Sequence, residues 1–220
     1  ELRPERNANN MNYGLRLSTL KNGWDVSGFY YHSSDISPTF YRDPVVSSTI
    51  VYQARHDRIH QLGSTLAKDF GDVVLKGEAV YTRGRSFTLL SPIDSDGVTP
   101  QNTLDWAAGL DFTLPANSRL NVQLFQRQFF SYNEEIIPDK RENGYSILVN
   151  SQFFNNWEAQ ALLISSANRS DWLFRPRVSW SFERNWRLII GADVFKGPPM
   201  GMFGRYDQQD RAYSEVRYSF

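Results

Sequence analysis

The last ten residues of the chain constrain its fold more than any other stretch. From Arg211 to Phe220 the side chains alternate between two classes without interruption. One side is charged or polar, and the other carries the small or apolar residues Ala212, Ser214, Val216, Tyr218 and Phe220. A period of two residues predicts a β-strand with one apolar and one charged face. A strand that runs to a final aromatic residue without a polar tail is unusual for a soluble β-sandwich.

This ending resembles the closing strand of Gram-negative outer-membrane β-barrels. In those proteins a terminal Phe, preceded by aromatic or aliphatic residues at every second position, is the signal that the barrel assembly machinery recognises. The matching residues here are Val216, Tyr218 and Phe220. The segment 204–211 is similar to a large, uncharacterised family of proteobacterial barrels encoded beside lipid or hydrophobe exporters. The resemblance implies a location in the cell outer membrane, with outer-membrane lipids and the assembly machinery as partners.

The composition suits a chain that shows aromatic rings to lipid and charges to water. Aromatic residues make up 15% of the chain, yet its mean hydropathy is −0.50. No run of about 18 apolar residues predicts a transmembrane helix. Cysteine is absent, which excludes disulfides and thiolate metal sites, and the zero net charge gives no argument for nucleic acid. Because residues 1–6 lack the apolar segment of a signal peptide, we expect a mature or trimmed chain.

Alternating segments separated by turn residues recur along the whole chain. We predict eleven strands, at 11–20, 24–30, 58–70, 73–82, 104–114, 120–129, 144–154, 157–165, 172–182, 186–195 and 211–220. Short turns, marked by Asn22, Asp72, Asn117, Asn156 and Asn185, alternate with longer loops at 33–57, 83–103, 130–143, 166–171 and 196–209. This rhythm is typical of an antiparallel up-and-down transmembrane β-barrel, which has short periplasmic turns and longer outer loops. Pro176 cannot donate to a ladder, so we expect a bulge or local irregularity there.

Aromatic residues cluster beside the short turns. We predict that they form a membrane girdle of Trp24, Phe70, Phe112, Trp157, Phe182 and Trp186. A looser second row, of Tyr30, Tyr81, Trp106, Tyr145 and Trp172, lies at the opposite strand ends. Amphipathic rings concentrate at the two membrane interfaces. The alternative is a periplasmic or secreted β-sandwich with an aromatic core, but a sandwich gives no reason for the alternation of short and long connections.

The number of predicted strands is odd. Bacterial barrels made from one chain have an even number, with both termini on the periplasmic side, and lipid does not tolerate an unpaired strand edge. We therefore expect residues 1–220 to be one β-barrel domain that is the C-terminal part of a larger barrel. Residues 1–10 would be the remnant of an outer loop, and the first strand would pair with an upstream part of the same barrel. The alternative is a missed strand within 83–103 or 33–57, for instance around Ile50, Val51 and Tyr52.

Charged residues occupy the face opposite the apolar side chains, which would line the lumen of a barrel. The predicted lumen-facing residues are Arg16, Lys76, Glu78, Asp105, Asp111, Arg127, Glu158, Arg175, Arg177, Arg187, Asp193, Arg211, Glu215 and Arg217. Charged side chains at membrane depth must face water, protein or each other. Arg dominates on the last three strands, which in a pore would favour anions. The alternative is a self-neutralised ladder, with Glu158, Asp193 and Glu215 as partners, that only holds the wall rigid.

The sequence contains no convincing catalytic or metal-binding motif. All three histidines, His32, His56 and His60, lie at or beside one predicted outer loop. The run of His32, two serines and Asp35 has the residue types of an outer-membrane phospholipase without a supporting motif. His56 and His60 lack a third metal ligand at a convincing spacing. We therefore predict no enzyme activity, no cofactor and no metal site.

These patterns predict an outer-membrane channel or export conduit for small or amphipathic solutes, lined by Arg and carboxylates. One alternative is a scaffold barrel plugged by its own loops or by a partner, with periplasmic proteins or lipoproteins as candidates. The other alternative is an outer-membrane hydrolase. The loop 196–209 contains the run Gly-Pro-Pro-Met-Gly-Met-Phe-Gly. Its large apolar groups suit a constriction of the lumen or a surface contact.

Overall fold

The computed structural model describes residues 10–43, 51–91, 94 and 96–220, and within them the chain is all-β. One antiparallel sheet has eleven strands. They are β1 Tyr13–Lys21, β2 Trp24–Ser34, β5 Arg58–Asp69, β6 Val73–Thr88, β7 Val98–Leu114, β8 Ser118–Phe130, β9 Arg141–Phe153, β10 Trp157–Ser166, β11 Trp172–Glu183, β12 Trp186–Lys196 and β13 Arg211–Tyr218. A separate two-stranded sheet contains β3 Thr39–Arg42 and β4 Tyr52–Arg55, and a 3-10 turn spans Gly204–Tyr206. Among the described residues, none belongs to a helix with the length and apolar character needed to span a membrane.

The strand order follows the chain, β1-β2-β5-β6-β7-β8-β9-β10-β11-β12-β13, so each strand pairs with the next one of the large sheet. Five connections have two or three residues, and they alternate with five longer ones. The predicted rhythm of short and long connections is therefore confirmed. In the first hairpin Lys21 pairs with Trp24, and the two turn residues, Asn22 and Gly23, have φ of 52° and 74°. Positive φ at both positions is what an Asn-Gly turn between twisted strands requires.

The first long connection is not the loop that we predicted for 33–57. It contains the hairpin of β3 and β4, in which Thr39 pairs with Arg55 and Arg42 pairs with Tyr52. Tyr52, one of the residues of the predicted extra strand, therefore belongs to a strand outside the large sheet, while Ile50 lies outside the described residues. This hairpin does not join the large sheet. The number of strands in that sheet therefore stays at eleven, and short and long connections still alternate.

Two strands are longer than predicted, which leaves only residues 89–97 of the predicted loop 83–103 outside them. β6 runs on to Thr88, and β7 begins at Val98 with Pro100 inside it. Gly84 has φ of 90°, and a Cβ atom there would lie 2.7 Å from the Arg58 carbonyl oxygen. A glycine with positive φ allows a strand to bend without ending. Turn-forming residues alone therefore gave the wrong bounds for this loop.

Two further boundaries also differ from the prediction. β9 begins at Arg141 rather than at Gly144, so the third long loop is shorter. The final strand ends at Tyr218, two residues before the end of the sequence, where the Ser219 N–H donates to the Asn185 carbonyl at 2.9 Å. Phe220 therefore continues the alternation in sequence but lies beyond the ladder.

The irregularity expected at Pro176 is an interruption of one ladder rather than a bulge. Pairing of β11 with β12 stops at Phe174 opposite Val194 and resumes in the same register at Arg177 opposite Gly191. On its other side Pro176 pairs with Ala161 of β10. Since proline has no N–H, it can interrupt a ladder without shifting the register. The register shift of this strand pair lies further on, between Trp180 and Glu183.

Contacts divide the chain into two compact units. One contains Glu1–Leu66, Glu78–Trp106 and Gln126–Glu142, and it includes a small apolar core of Leu89, Phe129 and Ile136. The other contains Ala67–Gly77, Ala107–Phe125 and Asn143–Phe220, and therefore all of β10 to β13. Few large apolar side chains of the described residues are buried, whereas many are exposed. Burial within the described part of the chain therefore does not account for many of the large apolar side chains on the strands.

Candidate functional site: the arginine-rich face of β10 to β13

The register of the last four strands places the predicted charged residues on one face of the sheet. Asp193 pairs with Arg211, and Arg187 pairs with Arg217. Residues directly opposite each other in an antiparallel pair share a face, as do residues two apart along a strand. By this rule the face, which we call the arginine-rich face, carries Glu158, Arg175, Arg177, Arg187, Asp193, Arg211, Glu215 and Arg217.

Asp193 is the centre of this face. Its side chain is 1% exposed, and it receives hydrogen bonds from two arginines of the neighbouring strands. Arg175 Nε donates to Oδ1, and Arg211 Nε donates to Oδ2 at 2.6 Å. A buried carboxylate needs such partners because its desolvation is costly. Asp193 therefore ties β11, β12 and β13 together at one level of the sheet.

The other two carboxylates of this face also have arginine partners. Glu158 lies 3.8 Å from Arg187 and accepts a hydrogen bond from Asn150 at 2.5 Å. Glu215 accepts two hydrogen bonds from Arg217, at 2.7 and 3.1 Å. The arginines of these pairs remain substantially exposed, so their charges are accessible to solvent.

Arg177 has no hydrogen-bond or ion-pair partner among the described residues. It lies on β11 between Arg175 and Ser179 on the arginine-rich face, opposite Gln160 and Gly191. The face carries five arginines and three carboxylates, which gives a formal charge of 5 − 3 = +2. Among the described residues, the ladder is thus only partly neutralised.

The charged residues of β6, β7 and β8 form a second group with a different composition. Lys76 Nζ lies 2.5 Å from Asp111, which also accepts a hydrogen bond from Asn121. Arg127 Nε lies 2.5 Å from Asp105. Glu78 lies two residues from Lys76 and therefore on the same face. The remaining predicted residue, Arg16 on β1, lies opposite Phe29 of β2.

A buried carboxylate also holds the last long connection. Asp171 is 3% exposed and accepts three backbone N–H groups, from Met202 at 2.7 Å, Phe203 at 3.0 Å and Gly204 at 2.8 Å. A Cβ atom at Gly201 would lie 2.7 Å from Asp171 Cγ, so the loop approaches the carboxylate more closely than a side chain would allow. Hydrogen bonds to a charged acceptor are among the stronger ones.

The same loop packs on the arginine-rich face. Phe195 pairs with Leu173 and follows Asp193 by two residues, so it shares the face of Asp193. The ring of Tyr206, from the 3-10 turn, lies 5.5 Å from the ring of Phe195. The Phe195 N–H also donates to Asp210 at 2.8 Å. The segment between β12 and β13 therefore covers the end of this face that is remote from the short turns.

The first long connection carries its own polar cluster. Arg85 Nε lies 2.5 Å from the buried carboxylate of Asp35. Tyr41 donates to Asp57 at 2.6 Å, and its hydroxyl lies 3.2 Å from the Ser86 hydroxyl. Burial, followed by the hydrogen bond to the Asp57 carboxylate, raises the pKa of Tyr41 above its ordinary value. These contacts attach the β3–β4 hairpin to the end of β6.

Each of the three histidines uses its Nδ1 atom in a different hydrogen bond. His32 Nδ1 lies 2.9 Å from the Ile59 carbonyl, whereas the Ser34 hydroxyl accepts from Arg58. His56 Nδ1 lies 2.8 Å from the Asp35 carbonyl oxygen. In the part of the chain that the structure describes, no three side chains of the His, Asp or Glu type are placed to hold a metal ion.

The face opposite the charged residues exposes large apolar side chains. Leu17 on β1 is 70% exposed, Leu62 on β5 is 62% exposed, and Val216 on β13 is 61% exposed. The strands between them contribute further exposed residues, including Leu124 and Ile190. We call this surface the apolar face. In folded proteins, large exposed apolar patches are typical of surfaces that contact a partner or lipid.

An aromatic row crosses the short-turn end of the apolar face. The rings run from Phe153 to Trp157, Trp180, Phe182, Trp186 and Tyr218, with neighbouring centroids 4.8 to 6.2 Å apart. Three residues of the predicted girdle, Trp157, Phe182 and Trp186, thus lie in one continuous row. Trp180 was missed as a member because it lies three residues before the end of β11 rather than at its end. Trp180 could have been assigned to the row from its pairing with Trp157, but this pairing is known only when the register of β10 and β11 is known.

The other predicted girdle and signal residues lie apart from this row or at its edge. Phe70 lies 5.8 Å from Lys68 Nζ, Trp24 begins β2, and Phe112 lies near the end of β7. Val216 pairs with Leu188, and Tyr218 pairs with Trp186. No protein family model matches this chain, and no curated protein matches it.

Proposed function

We propose that this chain forms part of an outer-membrane β-barrel that acts as a channel or export conduit for small anionic or amphipathic solutes. The exposed apolar face carries the proposal. It spans the whole large sheet, from Leu17 on β1 to Val216 on β13. Exposure of so much apolar surface to water would be unfavourable by about 25 cal/mol for each Å², so lipid is its expected environment.

Three further features support a membrane barrel. The short and long connections alternate as they do in outer-membrane barrels. The aromatic row lies at one end of the strands, where amphipathic rings would meet the headgroups. Over β10 to β13 the charged residues lie on the opposite face, as expected for the wall of a water-filled interior. The exceptions, Glu183 and Lys196, are at strand ends, where they pair with Trp186 and Trp172.

The arginine-rich face provides the argument for anionic solutes. Its formal charge is positive, and Arg177 has no counter-ion among the described residues. Arginine side chains in a pore attract anions and present a planar set of donors to carboxylate or phosphate groups. The solute class in this proposal is therefore a small anion or an amphiphile with an anionic group.

A closed barrel would require strands beyond these eleven. In an antiparallel sheet of eleven consecutive strands, β1 and β13 run in the same direction, so they cannot complete an antiparallel barrel by pairing with each other. An upstream part of the same barrel would supply the missing strands. The barrel assembly machinery and outer-membrane lipids are the proposed partners during biogenesis, as the resemblance of the ending implies.

A plugged scaffold barrel is the second candidate. It is favoured by the last long connection, which Asp171 holds through three backbone N–H groups and which packs on the arginine-rich face through Tyr206. A loop so attached would narrow or close the interior. The two candidates share the membrane barrel and differ in whether solute passes.

Planar-bilayer recording of the full protein separates these candidates. We expect discrete conductance steps with a reversal potential that indicates anion preference under a salt gradient. A membrane-inserted protein that gives no steps would support the plugged scaffold. A protein that stays monomeric in buffer without detergent, with its tryptophans inaccessible to lipid-borne quenchers, would contradict the membrane barrel itself.

A further inference from the structure

A basic and aromatic cluster lies on the apolar face of β1, β2, β5 and β6. We call it the histidine cluster, and it consists of Tyr13, Tyr30, His32, His60 and Arg83. Tyr13 pairs with His32, and the rings of His32 and His60 are stacked with centroids 4.1 Å apart. The Tyr30 hydroxyl lies 2.7 Å from His60 Nδ1. Gln61, next to His60, donates to the hydroxyl of Thr82, next to Arg83, at 3.3 Å. This contact places Arg83 of β6 beside His60 of β5, where its positive charge acts on the imidazole.

Three groups of this cluster remain available to a ligand. The Ile59 carbonyl can only accept, so His32 donates through Nδ1 and its Nε2 is left without a partner among the described residues. His60 uses Nδ1 with Tyr30, which likewise leaves Nε2. Arg83 is exposed, and within the described ranges it has neither a hydrogen-bond nor an ion-pair partner. The Arg83 guanidinium is a donor for phosphate oxygens. His60 Nε2 is a donor when the Tyr30 hydroxyl donates to Nδ1, whereas His32 Nε2 is a donor only when the ring carries both protons.

The neighbouring Arg58 adds positive charge but is already engaged. Its guanidinium donates to the carbonyl oxygens of Asn10 and Met11 and to the side chains of Asn12 and Ser34. The charged and titratable groups that act on His60 or lie against it are His32, Arg58, Arg83 and Tyr30. These groups include no carboxylate, so the positive charge of the cluster is not neutralised by an acidic side chain.

Cations are costly on a lipid-facing surface unless they lie near its edge or meet a counter-ion. An Arg or Lys on the lipid face of a barrel costs about 2–4 kcal/mol at the bilayer midplane and about 0–1 near the interface. The histidine cluster lies where β2 approaches its end and β5 begins, at the strand ends that carry the long connections. The same face continues from it with Leu15, Leu17 and Leu62, which are all highly exposed.

We propose that the histidine cluster binds the phosphate of an anionic membrane lipid, whose acyl chains lie along the leucines that follow it. Charge complementarity identifies the headgroup, since Arg83 and the Nε2 atoms of His32 and His60 have no acidic partner among the residues that the structure describes. The adjoining apolar residues identify a lipid rather than a free phosphate ion, because only a lipid has acyl chains that would contact them. This inference rests on the proposed membrane location of the apolar face.

Native mass spectrometry of the full protein in dodecyl maltoside, titrated with dioleoyl phosphatidylglycerol, tests the site. We expect the double variant H60Q/R83Q to lower the apparent affinity about tenfold, which corresponds to the loss of roughly one charge-assisted hydrogen bond. Gln at position 60 retains a partner for the Tyr30 hydroxyl, so the strands are expected to remain paired. The matched control is R184Q, which removes one positive charge from the short turn between β11 and β12.

Titrations with two other ligands distinguish binding of an anionic lipid from binding of any lipid or of free phosphate. Phosphatidylcholine is expected to bind more weakly than phosphatidylglycerol, and inorganic phosphate is expected not to compete. Equal affinity of wild type and H60Q/R83Q, an equal loss in R184Q, or competition by inorganic phosphate would overturn the proposal. H32Q, from the neighbouring strand, gives a second variant if the double variant does not fold.

Insertion into vesicles distinguishes this inference from the proposed function. Wild type and H60Q/R83Q are both expected to insert and to give the same conductance, because the cluster lies on the face opposite the charged residues. If the wild type inserts but the variants bind lipid as tightly as the wild type does, only the lipid site is overturned. Failure of the wild type to insert would overturn both proposals.

Discussion

The charged residues of β10 to β13 differ from those of β6 to β8 in burial and in stoichiometry. Asp193 is almost fully buried and is shared by two arginines, whereas Asp111 and Asp105 are about one-third exposed and each has one cationic partner. Five arginines and three carboxylates occupy the arginine-rich face, whereas Asp111 and Asp105 each form an ion pair with a single cation, Lys76 and Arg127. The first group therefore combines a structural centre with spare positive charge, and the second consists of solvated pairs.

This difference determines which residues are expected to matter for stability and which for solute selection. A buried carboxylate with two partners resists removal because the arginines would lose their counter-ion. Exposed pairs contribute little, since water and salt replace the partner. In the proposed channel, solute selection would depend instead on charges that are not neutralised, and Arg177 is the clearest example on the arginine-rich face.

The largest expected effect is on stability, and it comes from Asp193→Asn. The variant removes the charge that Arg175 and Arg211 share, so we expect the free energy of unfolding to fall by about 2–3 kcal/mol, below the range for a fully buried pair because both arginines are partly exposed. Urea unfolding in lipid vesicles, followed by tryptophan fluorescence, measures the change. Asp111→Asn is the matched control, with an expected loss of about 1 kcal/mol or less. Equal losses in the two variants would remove the proposed distinction between the groups.

The next effect concerns the loop that packs on the arginine-rich face. Asp171→Ala removes the acceptor of three backbone N–H groups, so we expect residues 197–204 to detach and become susceptible to limited proteolysis. If this loop narrows the interior, single-channel conductance will rise or will appear where the wild type has none. Asp207→Ala removes the partner of Lys196 in the same connection and is the control, with conductance expected to be unchanged. A protease-sensitive loop without a change in conductance would show that the loop does not restrict the pore.

The smallest effect expected is on ion preference, from Arg177→Gln. The substitution removes a charge that has no partner in the described chain, so we expect little change in stability and a shift of the reversal potential towards weaker anion preference. Lys76→Gln on β6 is the matched control, because it removes an equal charge that is already paired with Asp111. An equal shift in both variants would mean that net charge, rather than the arginine-rich face, sets the preference.

Strand identity and sidedness followed directly from the sequence. Alternation with a period of two predicted all eleven strands of the large sheet, and the Asn-Gly pair at 22–23 predicted the first turn correctly. These features are local, since they depend on residues within one strand or turn. The β3–β4 hairpin was missed because its strands have only four residues each. The extensions of β6 and β7 were missed because Pro92, Gly97 and Pro100 are residues typical of a loop.

The sequence alone determined that charged and apolar side chains occupy opposite faces, because the direction of each side chain in a strand depends only on its position. Only the tertiary structure decided which charged groups meet, since Asp193, Arg175 and Arg211 lie on three strands and come together through the register of their pairing. The same holds for the stacked pair of His32 and His60, whose separation of 28 residues in sequence gives no indication of contact. Register depends on backbone hydrogen bonds between strands and on turn lengths, and it therefore becomes visible only when the chain is folded.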